Sequence, residues 1–141
     1  MKLNPRGIHK IIDDQIQKWE KLRAISPAEE EQPFAITISR EAGSGGRIIA
    51  PRLAERLGYD LFHREIIQKI VEDASVSERL LETLDERAFN ILDEWVSTLV
   101  NERHLWPDQY LKVLMKVIGA IDKHGRGVIV GRGSSFILPR K

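Results

Sequence analysis

Two glycine-rich turns hold most of the residues in this 141-residue chain whose types and spacing could do chemistry. The first is Ser39-Arg40-Glu41-Ala42-Gly43-Ser44-Gly45-Gly46-Arg47, between the apolar run Phe34–Ile38 and the amphipathic run Ile48–Leu57. A loop in that position holds phosphate when successive backbone N–H groups point into one concavity and a following helix adds its positive end. Glycines permit the backbone angles this needs and let the chain approach the anion closely. Against the pattern G-x-x-x-x-G-K-[ST], Gly45 takes the last glycine, Gly46 the lysine and Arg40 the first glycine. Arg47 is the next residue, and a guanidinium can bind phosphate oxygens bidentately. Loop composition alone is equally satisfied by a tight strand-to-helix turn that binds nothing. The second turn, Gly131-Arg132-Gly133-Ser134-Ser135, follows an apolar run at 127–130. Ligands of open α/β sheets sit outside the carboxyl ends of strands, so Arg132 is expected to face the same crevice as the first loop. Alone, Arg132 reads equally well as an exposed arginine on a turn; the pairing of two such turns, each with an arginine, strengthens the phosphate reading.

Several other chemistries are excluded. There is no cysteine, which removes disulfides, thiolate catalysis and cysteine-based zinc sites. His9, His63, His104 and His124 lack the i, i+3 or i, i+4 spacing that puts two metal ligands on one helix face. A dinucleotide fingerprint would need a glycine at Ile48, and a nucleophile elbow around Ser44 would need one at Ala42. Asp85-Glu86-Arg87 reads as a solvated helix face. The 22 basic and 21 acidic residues nearly cancel and form no basic cluster, so neither a nucleic-acid nor a membrane partner is expected. No apolar run approaches the roughly 18 residues of a spanning helix, and Asp13-Asp14 interrupts any leader-like start, so a cytoplasmic location is the expectation.

The elements that must position these turns follow from apolar spacing. Ile8, Ile11, Ile12, Ile16, Trp19 and Leu22 predict an amphipathic helix over about 7–24, expected to pack on its own domain. Ser26-Pro27 and Glu29-Glu30-Glu31 make a solvated linker, so 1–31 reads as leading helix and linker and 32–141 as the main domain. Phe34–Ile38 is a short buried strand; Ile49, Leu53 and Leu57 form a helical stripe closed by Gly58, with Pro51 inside; Tyr59–Phe62 is a second strand. Residues 64–124 read as helical throughout. Ser75 and Glu78 resemble a capping box, Pro107 suits a first helical turn, and His124-Gly125 ends the last helix before the strand at 127–130.

The segments ITISREAGSGGR, LAERLGYDLFHREII, LLETLDERA and GVIVGRGSSFIL together resemble the cytidylate kinase-like family, relatives of bacterial cytidylate kinases among the P-loop kinases. The resemblance runs from about Phe34 to Leu138. It implies a P-loop kinase-like, three-layer α/β/α fold with a short parallel sheet, a helix-rich insertion at 64–124 and the amphipathic helix in front. It also implies phosphoryl transfer from ATP, with Mg2+, to CMP or a similar nucleotide.

Carried onto this chain, Gly43, Ser44, Gly45, Gly46 and Arg47 align with the phosphate loop, while Arg40, His63 and Arg132 fall near the acceptor nucleotide. Arg47 and Arg132 are then the catalytic candidates. Gly46 replaces the P-loop lysine, Ile48 the magnesium-binding Ser/Thr, Gly133 the aspartate of a Gly-Arg-Asp turn, and His63 an aspartate. Such kinases continue past this turn with further strands, an arginine-bearing lid and an adenine site. The chain is therefore expected to be the front part of the domain and inactive alone, with an open sheet edge that invites homo-oligomer formation. The rival expectation is a non-catalytic nucleotide-binding or protein-interaction module.

Overall fold

The computed structural model describes residues 5–25, 35–39, 46–102 and 108–131, and the side chains at 5, 6, 24, 25, 46 and 47 lie outside that description. In chain order the elements are α1 (Pro5–Ile25), β1 (Ile36–Ile38), α2 (Gly46–Leu57), β2 (Asp60–Phe62), α3 (Arg64–Glu72), α4 (Ala74–Glu82), α5 (Glu86–Glu102), α6 (Gln109–His124) and β3 (Gly127–Val130).

The three strands form one parallel sheet in the order β1-β3-β2. Ile36, Thr37 and Ile38 pair with Val128, Ile129 and Val130, and Leu61 and Phe62 pair with Val128 and Ile129. Successive side chains alternate faces, so this register sorts the sheet into two surfaces. Ile36, Ile38, Leu61, Val128 and Val130 pack with Ala50 and Ala54 of α2. Phe62 and Ile129 point the other way, into the cluster built by the remaining helices. The result is α2, sheet and helical cluster in three layers, the P-loop kinase-like α/β arrangement. On its outer side β1 has no strand neighbour among the described residues.

At the middle of the helical cluster lies α6, in which Leu114, Met115, Val117, Ile118, Ala120 and Ile121 are all buried. Gly119 lets α5 approach closely: a Cβ there would overlap Leu92 Cδ1. Asp108 caps α6 by accepting from Tyr110 N at 3.1 Å, and Gly125, at φ +71°, ends it. Pro107, expected in the first turn of this helix, lies outside the described residues. As expected, α1 packs on its own chain: Ile8, Ile12 and Trp19 enter the same core as α6. Around that apolar stripe, His9 pairs with Asp73, Asp13 with Arg79, and Lys18 with Asp60. Exposed pairs of this kind contribute at most about 1 kcal/mol each, so burial of the three large side chains dominates the docking.

Two sequence expectations are corrected. The helical stripe of Ile49, Leu53 and Leu57 is not the face that packs on the sheet, because Ile49 and Leu57 are 57% and 45% exposed while Ala50 and Ala54 are buried. Alanines four apart give a flat strip on which the helix lies close to Val128 and Val130; larger side chains there would lift it off the strands. The cap of α4 is Asp73, not Ser75. Asp73 Oδ1 accepts from Ser75 N at 3.1 Å and Val76 N at 3.4 Å, and Ser75 Oγ donates to the same oxygen at 2.7 Å. The Ser75 hydrogen bond is the largest cause of an Asp73 pKa below the ordinary aspartate value. Among the described residues no helix is long and apolar enough to cross a membrane.

Candidate functional site

Because the strands are parallel, their carboxyl ends open on one edge, and the residues that follow them gather there. Ser39 follows β1, His63 follows β2 and Gly131 follows β3. The register places His63 one step beyond Phe62, level with Val130 and Ile38. The ends of β1 and β2 are two strand spacings apart, about 10 Å. Gly131 N donates to Ile38 O at 3.0 Å, which ties the turn after β3 to the end of β1. Gly131 has φ +74°, a left-handed conformation that strains any L side chain, and its missing Cβ faces open space.

Behind this edge stands the N-terminus of α2. Gly46 and Arg47 open the helix, and its first four N–H groups have no carbonyl partner within it. There is no acidic residue in the first turn, so nothing on the helix itself offsets its positive end. The helix continues through Pro51, which lacks the N–H that would have bonded to the carbonyl of Arg47. The buried Ala50 and Ala54 hold the helix against the sheet, in one cluster with Val128 and Val130 of β3.

His63 is the N-cap residue of α3, with φ −67° and ψ 158°. Its carbonyl accepts from Ile67 N at 3.0 Å, but its side chain makes no cap hydrogen bond. The imidazole is exposed, so the helix start leaves the ring uncommitted to capping.

Of the residues singled out from the sequence, His63 and the backbone of Gly46 and Arg47 are thus brought to one edge. Arg40, Gly43, Ser44, Gly45 and Arg132 lie outside the described residues, as does the Arg47 side chain. An anion suits the N-terminus of α2, whose first turn carries no acidic residue. Magnesium finds less support, because Ile48 is aliphatic and 61% exposed. Among the described residues no three His, Asp or Glu side chains group as a metal site.

One junction was not foreseen from the sequence. Trp19 stacks on His124, and His124 Nε2 lies 2.7 Å from Thr83 Oγ1. Burial, with a smaller contribution from the Arg23 charge, pushes the His124 pKa down to about 4. These residues come from α1, α6 and the end of α4, and no local spacing links them; the only hint was a histidine at the end of a strongly apolar helix.

No curated protein and no solved structure matches the chain. The cytidylate kinase-like family matches residues 35–141, an extent that takes in all three strands, α2 to α6 and both glycine-rich turns. By that match the chain belongs to the cytidylate kinase-like family.

Proposed function

We propose that this nucleotide kinase-like chain binds nucleotide phosphate at residues 43–47 and an acceptor nucleotide near Arg40, His63 and Arg132, as a phosphotransferase from ATP to CMP or a similar nucleotide. The observation that carries this reading is the gathering of the β1 and β3 ends, the α2 N-terminus and His63 at one sheet edge, within the family match. Phosphoryl transfer is mostly positioning and electrostatics. In this reading the N–H groups of 43–47 cradle the donor phosphates, with Arg47 supplying the cation that Gly46 cannot. Arg132 approaches from the β3 side, and His63 borders the acceptor. Bound magnesium would offset phosphate charge, and the ligands for it would have to come largely from the nucleotide and water. Residues 32–141 would form the kinase-like domain with its helical insertion at 64–124, and 1–31 the leading helix and linker. The chain would work in the cytoplasm, with self-association through the open side of β1 and no nucleic-acid or membrane partner.

The absence of a lysine at Gly46 and of an oxygen ligand at Ile48 favours a second reading, a nucleotide-binding module without turnover. Isothermal titration with ATP, ADP and CMP, followed by a coupled phosphotransfer assay with Mg2+, separates the two. Binding with turnover supports the first reading and binding alone the second. No binding of any of the three nucleotides removes both.

A further inference from the structure

Two histidine contacts fasten α1, one near each end of the helix. Near its N-terminal end, His9 Nε2 lies 3.2 Å from Asp73 Oδ2, on the residue that joins α3 to α4. One turn on, Asp13 pairs with Arg79 of α4. Near the C-terminal end, the Trp19 indole lies flat on the His124 imidazole, with ring centroids 3.8 Å apart and planes within 7°. Phe62 of β2 stacks on Trp19 at 6.4 Å.

The protonation state of His124 can be read from its partners. Thr83 Oγ1 lies 2.6 Å from Leu80 O and has one proton to donate, which that carbonyl takes. His124 Nε2–H therefore donates to Thr83 Oγ1, and a further proton would have to go to Nδ1. The neutral groups against the ring are Trp19 of α1 and Thr83 at the end of α4, with Phe62 of β2 on Trp19. The charge that acts on it is Arg23 of α1, whose Nη2 lies 3.4 Å from Thr83 O. Asp60 of β2 is occupied by Lys18 and Gln15. On α6 itself, Lys123 is exposed and Asp122 half-buried. An imidazolium here would lose its hydration and meet the Arg23 cation.

We propose that α1 is a proton-sensitive hinge: acid releases its C-terminal half from β2, α4 and α6, while His9 and Asp13 keep its N-terminal half on α3 and α4. The released half is the one that leads, through residues 26–34, to β1. It also uncovers Phe62, the residue immediately before His63. The hinge is a property of α1 and stands whether or not the chain binds nucleotide.

With an ordinary histidine in the open form and a pKa of about 4 in the closed form, the open-to-closed ratio can rise by about 80-fold as pH falls from 6.5 to 4, and by about 300-fold over the whole titration. Amide hydrogen exchange on the full chain, corrected for intrinsic rates, tests this between pH 7.5 and 4.5. Protection of amides 16–25 should fall with pH, while that of 8–14 and of α6 holds. His124→Phe, which keeps a ring against Trp19 but cannot charge, should retain protection at 16–25. Arg23→Gln, at an exposed position, should move the loss to lower pH, and it serves as the test where His124→Phe does not fold. Loss of protection across α1 and α6 together, no loss down to pH 4.5, or an unchanged midpoint in the folded variants would each overturn the hinge.

Discussion

The His124 imidazole sits between the Trp19 indole face and the Thr83 hydroxyl, stacked on one at 3.8 Å and 2.7 Å from the other. It is kept neutral by burial first and by the Arg23 charge second, with a pKa pushed down to about 4. A histidine whose folded pKa lies below its unfolded value takes up a proton on unfolding. Its effect on stability is therefore absent above about pH 6.5, grows as pH falls, and levels off below about 4. The expected total loss is about 3 kcal/mol over that window. Urea unfolding of the wild type and His124→Phe at pH 7.5, 6 and 5 measures it; the variant should show the smaller acid dependence.

Asp73 both caps α4 and pairs with His9. Asp73→Ala should lower the melting temperature clearly more than Ser75→Ala, because Ser75 only donates to the capping carboxylate. Asp73→Asn keeps an acceptor and should fall between them. The Asp73 pKa is lowered, so the charged cap persists on acidification past the ordinary aspartate value and is lost only as pH falls through the folded value. Equal melting temperatures for Asp73→Ala and Ser75→Ala would return the cap to the serine.

Gly131→Ala isolates backbone strain at the site edge, since the added Cβ meets open space while φ stays at +74°. Chemical denaturation should show a loss of about 1–2 kcal/mol. Nucleotide affinity should fall as well, in the proposed site, because this turn sets the direction of the chain that leads to Arg132. An unaltered denaturation midpoint would mean that the turn relaxes.

Arg47→Ala and Arg132→Ala should each weaken ATP or CMP binding about ten-fold or more by titration calorimetry, as expected for loss of one hydrogen-bonded charge. His63→Ala should reduce acceptor binding alone. Its effect on stability should stay within about 0.5 kcal/mol, because the ring is exposed and makes no cap bond. Unchanged affinities in all three variants would leave the edge as a set of ordinary turns.

Local patterning made much of this legible. The runs expected at 34–38, 59–62 and 127–130 contain the three parallel strands Ile36–Ile38, Asp60–Phe62 and Gly127–Val130, because short apolar β-rich segments bounded by turns have few other uses. The glycines at 58 and 125 marked helix ends through their positive φ. Depth was harder to read. Ile49 and Leu57 are more hydrophobic than Ala50 and Ala54, yet the alanines face the sheet because close approach there favours small side chains. Capping was also ambiguous, since Asp73 and Ser75 both suit a helix start and the choice depends on where α3 ends. The contact of Trp19 with His124 joins residues far apart in the chain, and no pattern of a few residues carries that information.

The helix α1 precedes the family match, which begins at residue 35, yet Ile8, Ile12 and Trp19 are fully part of the core that the matched residues build. The extent of the family match and the extent of the folded core therefore have different boundaries in this protein. A shorter version cut to the shared segment would bare the surfaces of Phe62, Ile67 and Leu80 that belong to this core. The sheet lies within the family match, but the solvent exposure of its helical side depends on the twenty-one residues of α1 as well.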